Sequence, residues 1–436
     1  MSQDRNVAVS KDVNLCPKPV PHWYRKLIIN FRWTVGLLMF INFMIFWAAP
    51  VVIQGQVWKY GLNKPMRRLF AIFDQNKTLR SFAARYIYSK EVYTDFFAVS
   101  VLLATQAIAS VCLLFYWQIR YKTLPLWLIY AYYFEWVGLG GRGMGGAYTF
   151  AHKEGHHRNG GIYRPWIANT VGNFWENWMG FWYGNVPYNF STSHIFLHHR
   201  LNGGKGDSFY QFDLDRSSLS DLFLYLYRIL DHMTGASSLR LFATLAADGN
   251  KTMRDNRATL LRGMVWYWLI VPAAIVAALA AAGAGGPWAV ARFMFFVYLQ
   301  PLLCMTFFLA FINFGLHGFV EFTPEGEHIP CVNSSVITGG DDDFFGEDDH
   351  MAHHYHTAVT HRDLPAHHAA QKEEWGRHVG SCFRDMSIPE LSALMLAQQW
   401  DLLATKHFTD HSGRLTPAEA AALLRARARR GEMPYA

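Results

Sequence analysis

The sequence predicts an all-α integral membrane fold of about 4–6 transmembrane helices, with a cytoplasmic helical cap that holds clustered histidines. Three observations predict it. Only 17% of the 436 residues are charged while 16% are aromatic, against about 25% charged in soluble domains. Four uncharged runs are each long enough to cross a bilayer, which takes about 20 apolar residues. The chain also holds 20 histidines, half of them in four short clusters. This composition excludes disorder. Five scattered cysteines (Cys16, Cys112, Cys304, Cys331, Cys382) with no C-x-x-C pair exclude a disulfide scaffold. A net charge of +7 without a nucleic-acid motif points to basic loops facing anionic lipid or an acidic partner, and not to nucleic acid.

In chain order, residues 1–32 are a polar, basic segment, and the apolar run after it is too long for the core of a secretory leader. Residues 33–141 form an N-terminal membrane region. Trp33–Trp58 and Phe96–Ile119 carry no charge over 26 and 24 residues, and the aromatic Leu124–Gly141 is read as a further span despite Glu135. Residues 142–262 are a basic cap with the first two histidine clusters. Residues 263–320 form a transmembrane hairpin: Gly263–Ala291 and Phe293–Val320 are parted by Arg292, and Gly283-Ala-Gly-Gly-Pro287 supplies the turn. Residues 321–380 hold the last cluster and 381–436 a helical tail. Positive-inside reasoning puts the cap and the tail in the cytoplasm. Three spans before the hairpin would leave the basic N-terminus outside, yet Lys59–Lys90 also reads as cytoplasmic. The conflict points to a re-entrant or interfacial early segment.

Trp166–Trp182 and Leu219–Leu230 mix aromatics and leucines with charge and read either as interfacial helices or as packed helices of the cap. In the tail, Thr416-Pro-Ala-Glu419 is a helix start with a capping box. Asp410, Ser412, Gly413 and Glu419 sit at offsets resembling a calcium loop, but Phe408 stands at the first ligand position and excludes it. Gly138, Gly140 and Gly143 fit G-x-G-x-x-G only formally, because a membrane segment precedes them where a strand is required.

The clusters are HKEGHH (His152, His156, His157), HIFLHH (His194, His198, His199), NFGLH (Asn313, His317) and HMAHH (His350, His353, His354). Residues four apart share a helix face. The spacing therefore projects His152 with His156, His194 with His198, Asn313 with His317, and His350 with His354. The doublets 198/199 and 353/354 add neighbours at an oblique angle, as suits a chain bridging two adjacent metals. With either His156 or His157 counted as spare, nine imidazoles and one amide remain, more than one ion of about four to six ligands takes. Imidazole alone does not choose between Zn, Cu, Fe and Ni. Ligating histidines usually give their other N–H to an acid, for which Glu154 and Asp349 are the adjacent candidates. The rest of the acidic run Asp341–Asp349 reads as a solvated loop. His356, His361, His367 and His368 read as surface or supporting residues.

In box order, in the long insert between spans and in Asn-x3-His at a span end, residues 124–368 resemble the membrane fatty acid desaturase and alkane hydroxylase superfamily. The box spacings are closer to the hydroxylases, although Lys153 and His157 stand where those enzymes have Glu and Lys. The resemblance implies a membrane-bound non-haem di-iron oxidoreductase with two Fe ions and O2 as co-substrate. Its ligands would be His152, His156, His194, His198, His199, His317, His350, His353 and His354, with Asn313 holding a metal-bound water. The substrate would be a fatty acyl or alkyl chain, oxidised at an unactivated C–H bond, with hydroxylation favoured over desaturation and over decarboxylation to an alkene. The chain has no four-cysteine iron–sulfur spacing, nucleotide motif or haem signature. A separate rubredoxin, ferredoxin or cytochrome-type donor is therefore expected. The contrasting reading, a histidine-rich metal transporter, would place ligands in mid-span, whereas these clusters lie at or beyond span ends.

Overall fold

The computed structural model describes residues 22–429 apart from 205, 248 and 341–343. The first 21 residues, Cys16 among them, and Asp341–Asp343 of the acidic run lie outside the described residues. Helices α1 (His22–Phe46) and α2 (Ala48–Val57) are one apolar run bent at Trp47, whose φ of −120° leaves helical geometry. Pro50, in the first turn of α2, has no N–H for the Phe46 carbonyl, which places the bend there. After α3 (Phe97–Tyr121) come the short α4 (Leu126–Val137) and α5 (Arg142–His157) with the first histidine cluster. The second cluster lies on and just after α6 (Phe190–His198), a π-helix, and α7 (Leu219–Met233) follows. Helices α8 (Lys251–Ala281) and α9 (Pro287–Leu316) make the hairpin. Beyond it lie β1 (Val336–Thr338), α10 (His350–Tyr355) with the last cluster, α11 (Leu364–Ala370) and α12 (Lys372–His378). The chain closes with β2 (Cys382–Arg384), α13 (Ile388–Leu396) and α14 (Pro417–Ala428). β1 and β2 pair in parallel, Val336 opposite Cys382.

Among the described residues, four helices are long and apolar enough to cross a membrane: Trp23–Phe46, Glu91–Tyr121, α8 and α9. The hairpin turn falls where the sequence puts it, between Ala281 and Pro287. Gln118 and Lys122, at the end of α3, donate to the carbonyls of Ala284 and Gly283, so α3 ends on the far side, away from the histidines. Leu124–Gly141 is not a fifth full span. Its helix α4 has 12 residues, about 18 Å at 1.5 Å each, well short of the ~30 Å apolar core. It starts the climb back from the far side, which α5 completes at the histidines.

The early re-entrant element is the α1–α2 pair. Phe40, Asn42 and Phe46 meet Phe307, Gln300 and Phe296 in that order, so α1 runs away from the histidine end of α9. Ile45, Gln54 and Trp58 then meet Tyr130, Phe134 and Gly140 in ascending order. α2 thus returns alongside α4, and Lys59 reaches Glu390 of α13. Gly140 allows this approach: at φ +64°, a Cβ there would lie 2.4 Å from the Trp58 ring. The start of α1 and Lys59 share the histidine side, which removes the topological conflict. α7 packs along α1, with Trp33 donating to Ser220 and Gly36 against the Phe223 backbone, so Leu219–Leu230 is a helix packed into the fold.

Candidate metal centre

The structure gathers all nine imidazoles of the expected ligand set into two adjoining groups. His152, His156, His194, His199 and His353 form one, and His198, His317, His350 and His354 the other. In the first, the Nε2 atoms of His152, His156, His199 and His194 close a four-membered ring. Its edges are 3.1, 3.1, 2.9 and 2.8 Å, and His353 Nε2 sits 3.2 Å from that of His152. An imidazole nitrogen lies about 2.0–2.1 Å from a bound ion, so donors at right angles around one ion are about 3 Å apart. The ring has the edges of a first coordination shell. In the second group His317 and His350 approach to 2.9 Å through Nε2, and the buried Nε2 of His198 and both ring nitrogens of His354 have no hydrogen-bond partner. Orphaned buried nitrogens are costly unless something absent from the polypeptide takes their lone pairs.

Three of the candidate ligands have their tautomer fixed by the other ring nitrogen. His152 Nδ1 lies 3.0 Å from both oxygens of Glu347, His198 Nδ1 lies 2.9 Å from Asp207, and His317 Nδ1 donates to the Asn333 carbonyl at 2.9 Å. Each leaves Nε2 free as a ligand atom. Burial, and after it the neighbouring imidazoles, hold His156, His194, His199, His350, His353 and His354 well below the ordinary imidazole range. They are neutral at physiological pH, the form that binds metal. For Glu347, burial alone would push the carboxyl up, but His152 and Lys153 outweigh it and bring it down to about 2. Asp207 is also lowered: burial opposes, while His198 and the N–H groups of Phe209 and Gly203 prevail.

Two expectations need correction, the pairing of His194 with His198 and the supporting role of Glu154. His194 and His198 do not project together. The π-helical winding of α6 aligns residues five apart, so His194 joins His199 and His198 turns to the other group. Asn313 donates its side-chain amide N–H to the Leu309 carbonyl in its own helix, and its backbone carbonyl accepts from Gln211. Glu154 supports no ligand directly. Fully buried, it accepts from the Tyr163 hydroxyl and the N–H groups of Trp175 and Glu176. With Glu176, which takes the N–H of Ser191, it buttresses α5 against α6. Asp349 takes the His353 N–H on its backbone carbonyl, while Glu347, read from sequence as part of a solvated loop, holds His152. Of the two alternatives His156 and His157, His156 stands in the first group, and His157 lies 2.8 Å from the Tyr93 hydroxyl.

Sequence reading missed Glu347, Asp207 and the Asn333 carbonyl. Asp207 and Glu347 reach their histidines from irregular segments that no helical or strand period marks, and Asn333 ends the four-residue helix Pro330–Asn333. A cavity of about 710 Å³ runs from α2 toward the centre, between Val51 and Gly55 on one side and Phe308 and Phe311 on the other, with Lys59, Arg142, Asp385 and Glu390 also in its wall. Its inner end is bounded by Glu347 and by Tyr148, whose ring lies 5.8 Å from that of His152.

Residues 125–385, about three-fifths of the chain, match the sequence profile of the fatty acid desaturase family. The chain belongs to that family, which makes it an oxidoreductase. No curated protein and no solved structure matches it.

Proposed function

We propose, from this membership of the fatty acid desaturase family, that the protein is a membrane-bound di-iron oxidase of an unactivated C–H bond in a fatty acyl or alkyl chain. Hydroxylation is favoured over desaturation, on the spacing of the boxes. The observation that carries the proposal is the meeting of nine imidazoles, six of them buried and three partly buried, in groups of five and four, with a largely apolar cavity that ends beside them. One iron would be held by His152, His156, His194, His199 and His353, the other by His198, His317, His350 and His354. When bound, the irons supply the reduction of O2 to an oxidant able to take hydrogen from an alkyl carbon, which no side chain can do.

The polypeptide supplies the rest. Glu347, Asp207 and Asn333 keep three imidazoles in the ligating tautomer. Phe308, Phe311 and Val51 line the path that presents one segment of an extended chain beside the first group and keeps water from it. Asn313 gives one amide N–H to the Leu309 carbonyl and keeps its second N–H and its side-chain oxygen for a water. Hydroxylation consumes one O2, two electrons and two protons for each C–OH and each water formed. A separate donor of rubredoxin, ferredoxin or cytochrome type would deliver the electrons. We place the histidine side in the cytoplasm, because the far-side loops 122–125 and 282–286 carry a single cation, Lys122.

The test is product analysis by mass spectrometry. Membranes containing the protein, a reductase–donor system and O2 are given labelled fatty acid and labelled alkane. A mono-oxygenated product is expected. An unsaturated product alone would replace hydroxylation by desaturation, and a terminal alkene one carbon shorter than the acid would establish decarboxylation. Purified protein with zinc in place of iron and no donor-dependent O2 uptake would overturn the enzyme reading.

A further inference from the structure

A third cluster stands apart from the two histidine groups. His368 on α11, Cys382 on β2 and His411 in the loop before α14 bring one potential ligand atom each within 4.8 Å of one another. Sequence reading gives His368 a surface or supporting role and finds no partner for Cys382, because the three residues are spaced too widely for any metal motif. The fold supplies the proximity. Cys382 pairs with Val336 across the two-stranded sheet, and its carbonyl takes the N–H of Thr409 at 2.9 Å, which fixes the strand beside the loop that carries His411.

Each side chain is held in place without help from a metal. Trp375, fully buried, stacks on the His368 ring at 5.9 Å and 19° and donates Nε1–H to the His368 carbonyl. The His411 loop is fastened by Asp410, whose carboxylate accepts the N–H groups of Ser412, Arg414 and Leu415. The segment whose offsets resembled a calcium loop is therefore a scaffold for the histidine inside it. The Thr416–Glu419 capping box then starts α14. His368 Nδ1 is buried and has no hydrogen-bond partner, the same signature that His198 and His354 show in the main centre. Cys382 is 2% exposed, and His411 forms the half-exposed rim.

We propose that His368, Cys382 and His411 form a third, mononuclear metal site that binds one zinc ion and ties the C-terminal tail to α11. Mixed imidazole and thiolate donors select a borderline-soft ion such as zinc over Mg2+ or Ca2+. Three protein ligands leave one position of a tetrahedron for water, and His411 lies at the open side. Binding releases the Cys382 thiol proton to solvent and involves no redox step. The site is chemically separate from the iron groups, whose donors are all imidazole.

The test is metal analysis of the full-length protein in detergent, reconstituted with Fe2+ and Zn2+ and freed of loosely bound ions. The wild type is expected to retain one zinc per chain beside its iron. His411→Ala removes a half-exposed ligand. Gly376→Ala removes none, but its Cβ would lie 2.9 Å from the His411 carbonyl oxygen and push the loop away. Zinc affinity should fall about 10–100-fold in Gly376→Ala, as for loss of a supporting contact, and further in His411→Ala, with iron unchanged in both. A cobalt-loaded wild type should show a thiolate charge-transfer band that Cys382→Ser abolishes. The proposal is overturned if the wild type holds no zinc, if both variants keep it, or if zinc and iron fall together.

Discussion

The two halves of the metal centre are built differently. Asp207, which orients His198, is buried, follows it by nine residues and also takes two backbone N–H groups, so its carboxylate is committed to one local loop. Glu347 comes from a distant segment. It shares its charge between His152 and Lys153 and lines the cavity. The four-histidine half therefore rests on a rigid local anchor. The five-histidine half, nearer the cavity, rests on an ion pair that spans the fold and meets the space where a substrate chain would lie.

The sharpest way to break this description is to remove a ligand. His198→Ala and His156→Ala should each cut turnover by more than about 100-fold, beyond the usual cost of losing an outer partner, and lower the iron content. His157→Ala should leave both nearly unchanged, and the opposite ranking of 156 and 157 would refute the first group as drawn. Asp207→Asn comes next, with a loss of about 10–100-fold in metal affinity, measured as iron retained under chelator challenge. Glu347→Gln should cost about tenfold, at the low end of that range: the amide oxygen still accepts the His152 N–H, whereas at Asp207 an amide would also set its NH2 against the N–H of Gly203 or Phe209. Equal losses in the two variants would erase the difference between the halves.

Acid tests the same contrast. The buried imidazoles titrate below their ordinary value of 6.5, so the unfolded chain binds more protons and metal-free stability falls as pH drops below that value. Glu347, lowered from 4.5 to about 2, contributes stability that persists above 4.5 and is lost only as pH falls toward 2. The melting temperature of the iron-free protein should therefore fall between pH 7 and pH 5, equally in wild type and Glu347→Gln. A fall confined to pH below 4.5 would contradict neutral imidazoles. The smallest effect is expected for Tyr93→Phe, about 1 kcal/mol for the lost His157 hydrogen bond, with iron and turnover intact.

Much of the centre was legible because its ligands come in clusters at short helical spacing, and the nine histidines expected are the nine that converge. What stayed hidden depends on long-range geometry. Glu347 and Asp207 lie in loops without periodicity, and His368, Cys382 and His411 meet only because strand pairing brings β2 to the last loop. The hairpin and its glycine turn were readable from uncharged runs. The α1–α2 reversal was not, because a run of apolar residues records length but not direction. The charges of Lys59–Lys90 pointed to a reversal, and Pro50 marks where it falls. Leu124–Gly141 looked like a span for the same reason, since hydrophobicity does not separate a helix facing lipid from one buried among other helices.

The π-helical winding of α6 also limits how the centre can change. A π-turn amounts to one residue more than an α-helix needs, so a single deletion among residues 191–193 would return the segment to ordinary winding while leaving His194 and His198 four apart. His194 would then align with His198 rather than His199, and one imidazole would pass from one group to the other. The balance of five and four donors is thus set by one surplus residue in a short helix. A deletion there would regroup the imidazoles without altering a single histidine.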